Sequence, residues 1–230
     1  MLDLYYAKSP NGMKLKLFME ELAELGGPIP EHRWHLVRLS AGEQHKPEFL
    51  AISPNNKIPA IVDHAPAGGS APLPIFESAV ILEYLADKSG ALLSHDPRER
   101  IEAKQWLVWQ VAGLGPMAGQ VGWFRTHANQ RDAFAIERYT KETHRLYGVL
   151  DRHLKGRDFI AGEYSIADIA CWPWIVSHYG HGQSLDDFPN LKRWFEAIKQ
   201  RPATQRAFAD YIDVYANPKF SLNEDKEAFA

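Results

Sequence analysis

The sequence predicts an α/β domain over residues 1–89 followed by an all-helical domain over residues 90–230. Three observations carry that prediction. Strand and helix signals alternate through the first ninety residues; strand signals largely vanish after Gly90; and the remainder shows helix starts led by proline or a hydroxyl, each followed by apolar residues at helical spacing.

Leu2-Asp3-Leu4-Tyr5-Tyr6 alternates at period two and reads as a strand. Ser9-Pro10-Asn11-Gly12 is turn chemistry, and either Ser9 or Asn11 can cap the helix that follows. That helix carries Leu15, Phe18, Met19, Leu22 and Leu25 on one stripe, and Gly26-Gly27-Pro28 stops it. Arg33 to Leu39 is a second strand candidate, with Trp34, Leu36 and Arg38 on one side. Glu43 to Leu50 is polar and predicts a short helical turn. Ala60-Ile61-Val62-Asp63 reads as a buried strand, joined through a loop rich in Gly, Pro and Ala to the strand Leu73-Pro74-Ile75-Phe76. A helix from Ser78 aligns Ile81, Leu82 and Leu85 and ends at Gly90. The order βαβ then ββα matches the thioredoxin-like pattern.

In the second part Asp96-Pro97 opens a long helix, with Pro97 at its first position and Glu99 in its first turn. Gly113-Leu114-Gly115-Pro116 should kink or break it. Another helix runs from Asp132 to Leu154, with Tyr139, Thr143, Leu146, Leu150 and Leu154 facing one way. Ser165-Ile166-Ala167-Asp168 has capping-box spacing, which assigns Asp168 to folding rather than catalysis. Helices at Phe188 to Gln200 and Pro202 to Ala209 complete this half, and the charged tail from Asn217 is expected to be peripheral.

A net charge of −3 with scattered Lys and Arg provides no basic field for nucleic acid or an anionic membrane. The first residues lack a basic and apolar leader, and no run approaches the ~20 apolar residues of a membrane span, so a cytoplasmic location is expected. The single cysteine, Cys171, lies in the apolar run Ile169 to Trp174, which suits a small buried side chain and excludes an intrachain disulfide or a Cys-x-x-Cys pair. The histidines, including His32 with His35 and His178 with His181, lack metal-ligand spacing.

Two segments point to a site for a small charged peptide. Pro59 after Ile58 is a candidate cis peptide, which would turn the Ile58 N–H and C=O outward to pair with a bound peptide as an added strand. Taken alone it reads better as a rigid loop; beside Glu77-Ser78 the site is favoured. Glu77 and Ser78 sit where a helix begins: Ser78 and the helix dipole suit a carboxylate, and Glu77 suits an ammonium. An ordinary N-cap explains the same pair equally well.

With Ile58-Pro59, Glu77-Ser78 and Ser165-Ile166-Ala167-Asp168-Ile169-Ala170 in these places, the chain resembles the cytosolic glutathione transferase family over about residues 1 to 210. Ser53-Pro54-Asn55-Asn56-Lys57-Ile58-Pro59 and Gly113-Leu114-Gly115-Pro116-Met117 resemble more narrowly the bacterial nu class, glutathione-dependent disulfide-bond oxidoreductases. The resemblance implies the glutathione transferase fold and a homodimer. It also implies glutathione, reduced or as the disulfide, as co-substrate without a metal, and a small disulfide or an electrophile as acceptor. Ile58, Glu77 and Ser78 would hold the peptide and its γ-glutamyl end, and Lys57 and Gln44 the glycyl end. Ser9 and Asn11 would be catalytic, donating to the glutathione sulfur beside a helix N-terminus. Ser9 departs from the threonine of the nu-class pattern; it keeps the hydroxyl and loses the methyl that restrains it. Arg138 would reach a second glutathione, though a surface pair with Glu142 accounts for it as well. Trp123 and Phe124 would wall the acceptor pocket or else fill a helix–helix core. Conjugation or thiolytic cleavage of an electrophile, and a non-enzymatic binding or regulatory role, stand as alternatives to disulfide reduction.

Overall fold

The computed structural model describes residues 1–209 and Tyr211; the tail from Asn217 lies outside them. The described chain forms two compact units, Met1–Ala91 and a second beginning at Leu92.

In the first unit, strands β1 (Leu2–Tyr6), β2 (His32–Leu36), β3 (Ala60–Asp63) and β4 (Leu73–Phe76) form one sheet in the order β2-β1-β3-β4. β1 runs parallel to β2 and antiparallel to β3, and β4 runs antiparallel to β3. Period-two alternation divides β1 between two layers. Leu2 and Leu4 are fully buried, as are Leu15 and Phe18 of helix α1 (Pro10–Glu24) and Ile81 and Leu82 of α3 (Ser78–Ser89). Tyr5, on the opposite face, packs with Ile58, Leu39 and Ile52 around Val37, Phe49 and Ala60, the phenylalanine coming from the short helix α2 (Pro47–Leu50). Gly90, at φ 66°, ends α3 in the left-handed conformation that glycine adopts without strain.

The second strand is shorter than the sequence pattern indicates. It stops at Leu36, which is 56% exposed, while Val37 is the buried residue beyond it. β2 is an edge strand, so its outer positions need not be apolar. Trp34 is covered instead by Lys16, whose Nζ lies 3.7 Å from the ring centre.

In the second unit Asp96 caps α4 (Pro97–Trp109) through bonds from the Arg98 and Glu99 amides. Where a kink or break is expected at Gly113–Pro116, the winding of the helix changes. Gln110–Leu114 forms a π-turn in which the Gly115 N–H reaches the Gln110 carbonyl, and α5 (Gly115–Thr126) follows directly. Pro116 falls in the first turn of α5, where its missing N–H is tolerated. α6 (Ala133–His153) buries Thr143, Leu146 and Leu150, and Asp132 caps it. α7 (Ile166–Val176) starts with the reciprocal box of Ser165 and Asp168, and α8 (Pro189–Lys199) and α9 (Pro202–Ala207) follow. Asp168 is fully buried and accepts from the Ile160 and Ser165 amides and from Trp194 Nε1 at 2.8 Å. Cys171 is fully buried in α7, and no described helix is long and apolar enough to cross a membrane.

Candidate functional site

Strand register gathers the candidate residues of the first unit. Tyr5 pairs with Ala60 and Ala60 with Phe76, so the end of β1, the start of β3 and the end of β4 lie at one edge of the sheet. Tyr6 pairs with Leu36, which brings the end of parallel β2 to the same edge. Ser9 and Asn11 follow β1, Gln44 follows β2, Lys57 and Ile58 precede β3, and Glu77 and Ser78 follow β4. Ligand crevices in open sheets form at such strand ends.

Ser9 caps α1. Its Oγ accepts from the Gly12 amide at 3.2 Å, leaving its own proton available to donate. Gly12 has no alternative at this turn, because a Cβ there would stand 2.0 Å from the Ala7 carbonyl oxygen. Asn11 occupies the first turn of the same helix, half-buried. Tyr5 and Tyr6 are occupied in packing: Tyr5 stacks on His35 at 4.6 Å between ring centres, and Tyr6 meets Trp34 edge-on.

The Ile58–Pro59 peptide is cis. The loop before it is closed by Ser53 Oγ, which donates to the Lys57 carbonyl at 2.9 Å, and by Asn56 at φ 51°, a conformation that asparagine tolerates. Asn56 Nδ2 also donates to His45 Nδ1 at 3.0 Å, tying this loop to the turn Glu43–His45 that carries Gln44. Arg38 braces the other side of that turn with a fork on Glu43, and its hydrogen bonds hold the Glu43 carboxyl down at about 2. Gln44 Oε1 is buried with no hydrogen-bond partner among the described residues, while Lys57 is exposed.

Glu77 and Ser78 do not form an ordinary N-cap. Glu77 holds the N-cap position of α3 but makes no side-chain capping bond; at φ 70°, a strained conformation for a glutamate, its carboxylate is exposed. Ser78 is the first helical residue and is 6% exposed, and its Oγ accepts from Lys14 Nζ at 3.0 Å. Lys14 is fully buried and was not among the residues singled out from the sequence. Its phase carried a signal: it stands one turn before buried Phe18, a lysine on the apolar side of an amphipathic helix.

Arg138 is exposed on α6, in the second unit. It does not form the expected pair with Glu142, which is held by Arg145 Nη2 at 2.7 Å; Arg138 contributes charge there without that contact. Trp123 does not fill a core: it is 51% exposed, its ring edge-on to Phe124, which is half-buried and stacks between helices on Tyr139 of α6. Burial holds the imidazoles of His178 and His181 below their usual range, and no group of three metal-ligating side chains occurs among the described residues.

The family model "Glutathione S-transferase, N-terminal domain" matches residues 9–88, and "Glutathione S-transferase, C-terminal domain" matches residues 114–202. The chain is 54% identical over 208 residues to disulfide-bond oxidoreductase YfcG of Escherichia coli (strain K12), covering 90% of this chain and 94% of that protein. It superposes with a TM-score of 0.82 on a glutathione transferase from Pseudomonas putida that holds one glutathione disulfide per subunit, at 44% identity over 90% of each chain. A family member from Pseudomonas fluorescens with two glutathione bound gives a TM-score of 0.81 at 44% identity, covering 90% of this chain and 91% of that one.

Proposed function

From the premise that this chain belongs to the glutathione S-transferase family, we propose that it reduces small disulfides with bound glutathione as the thiol. The observation that carries this reading is the strand register, by which Ser9, Asn11, Gln44, Lys57, Ile58, Glu77 and Ser78 adjoin strand ends on one side of the sheet, with helices α1 and α3 starting after two of those ends. Each part has a ligand group to meet. Helix α3 and Ser78 suit the γ-glutamyl carboxylate, and Glu77 suits its ammonium. The orphaned Gln44 oxygen suits the glycyl N–H as an acceptor, exposed Lys57 suits the glycyl carboxylate, and Ile58 offers its backbone to the cysteinyl residue. Asn11 and Ser9 then donate toward the sulfur and favour the thiolate. Arg138 is assigned to a second glutathione. A homodimer and a cytoplasmic setting complete the proposal.

In the exchange the thiolate attacks one sulfur of the acceptor, the acceptor S–S bond breaks, a mixed disulfide forms and the first acceptor thiolate leaves with a proton. A second glutathione thiolate then attacks the glutathione sulfur of that mixed disulfide, releasing the second acceptor thiol and glutathione disulfide. No protein thiol is needed, in keeping with the full burial of Cys171. Cys171→Ala is therefore expected to keep wild-type turnover while losing about 1 kcal/mol of stability. A folded but inactive Cys171→Ala protein would overturn the external-thiol reading.

The function is tested by running glutathione-coupled reduction of a small dialkyl disulfide beside conjugation of an aromatic halide. Disulfide reduction is expected to dominate. Brisk conjugation without reduction would transfer the assignment to an electrophile-conjugating enzyme, for which exposed Trp123 and neighbouring Phe124 would be the acceptor wall. Glutathione binding with neither activity would point to a regulatory protein.

A further inference from the structure

We infer that Lys14 is a positioning residue for the γ-glutamyl carboxylate, acting through Ser78: by donating to the Ser78 oxygen it commits the Ser78 proton to the ligand. The inference rests on the glutathione reading of the site.

A serine hydroxyl has one proton to give and lone pairs to receive. Lys14 Nζ donates into Ser78 Oγ at 3.0 Å, so the serine acts as acceptor on its protein side. In its ammonium form, on which the inference depends, Lys14 has no lone pair with which to take the proton back. Deeper in a helix a serine commonly turns its proton to the carbonyl one turn earlier, but Ser78 is the first residue of α3 and the residue one turn earlier is Pro74 of strand β4. The proton is thus directed to the mouth of the helix, where its dipole and free amides already favour an anion. A bond from a charged donor also polarises the hydroxyl and makes it a better donor in turn.

The location of Lys14 adds to this. A fully buried lysine is uncommon and expensive to desolvate, and Lys14 is fully buried directly beneath the start of α3. It also stands three residues after Asn11 on the same face of α1. One helical face therefore carries both the amide assigned to the sulfur and the amine that sets the carboxylate donor. A shift of α1 would move both ends of the ligand's anchorage together.

A purely structural tie between α1 and α3 would look the same in a stability assay, so the test is a thermodynamic cycle read with two ligands. Dissociation constants are measured by calorimetry for wild type, Lys14→Met, Ser78→Ala and the double variant. The ligands are glutathione and the analogue whose γ-glutamyl α-carboxylate is replaced by a carboxamide. Lys14→Met is expected to weaken glutathione about tenfold, with KM for glutathione rising and kcat nearly unchanged. The double variant should bind no more than about twofold worse than Ser78→Ala, because the lysine acts through the serine. The carboxamide analogue should bind wild type and Lys14→Met alike, and Lys14→Arg should recover most of the glutathione affinity. Should Lys14→Met fail to fold, Lys14→Gln, which can accept the Ser78 proton, is read with the same ligands against the same expectations. Additive losses in the cycle, or equal losses for both ligands, would overturn the inference while leaving the glutathione site in place. A wild type that binds neither ligand would instead overturn the glutathione reading itself.

Discussion

Replacing Asn11 with alanine is expected to lower glutathione-dependent disulfide reduction by on the order of a hundredfold, with glutathione affinity within about threefold of wild type. A thiolate develops its charge at one atom, and a side-chain amide held in the first turn of α1 can donate to it without displacing the peptide contacts at the other sheet ends. Alanine is a strong helix former, so the helix and its positive end survive the change. Ser9 offers a less clean experiment. Its Oγ also accepts the Gly12 amide at the cap, so Ser9→Ala removes about 1 kcal/mol of helix-start stability together with any contact to sulfur. Steady-state rates and a glutathione titration on the two variants separate the effects. An unchanged Asn11→Ala rate would move thiolate stabilisation to Ser9 and the helix end.

Removing the Asp168 carboxyl should have the largest effect on stability. Its oxygens hold the Ile160 and Ser165 amides at 3.0 Å and Trp194 Nε1 at 2.8 Å in a fully buried setting. The Ser165 hydroxyl also donates at 3.4 Å, so alanine leaves four buried donors without this acceptor, a loss of about 3–5 kcal/mol at pH 5. The loss depends on pH in a direction opposite to most carboxylates. Burial pushes the Asp168 carboxyl up to about 6 despite the donors that pull it down, against an ordinary 3.8. A folded-state value above the unfolded one means that the folded protein holds the proton more tightly. The resulting stability is fully present below about pH 3.8 and is lost as pH rises through about 6. The difference amounts to about 3 kcal/mol, to order of magnitude. The Asp168→Ala deficit in urea unfolding should therefore be smaller at pH 7.5 than at pH 5. A deficit that grows with pH would mean that the four donors hold the carboxylate as an anion, outweighing desolvation.

Much of this molecule is legible in the chain because local rules and packing agree. The period-two run Leu2–Tyr6, the proline-led start of α4 and the capping spacing of Ser165 with Asp168 all specify local geometry that the tertiary structure keeps. The misreadings fall where a neighbour decides. Val37 is buried beyond the end of β2 because Tyr5, Phe49 and Ala60 surround it, and Trp34 is covered by a lysine from α1. For Glu77-Ser78 the sequence leaves an ordinary cap open beside a ligand site, because capping is a local habit of serine. In the fold the helix starts one residue earlier than that reading needs, and the hydroxyl is claimed by Lys14 from sixty-four positions away. Glu142 had two arginines within helical reach, and spacing alone could not say that Arg145 would take it. The convergence of the site residues was likewise invisible until strand register placed four loop ends at one edge.

The π-turn at Gln110–Leu114 makes one stretch of this chain indifferent to its own length. In an ordinary α-helix a lost residue turns everything downstream through about 100° and misdirects each side chain that follows. A π-turn already accommodates one residue more than regular α-helical winding would, so a deletion within it can be absorbed by rewinding to α geometry while α4 and α5 keep their bearings, at a cost of about 3 kcal/mol for enclosing Pro116 in continuous helix. Single-residue gaps among relatives should collect at this turn, and a library that varies chain length there should retain folded members where the same deletion inside α5 would not.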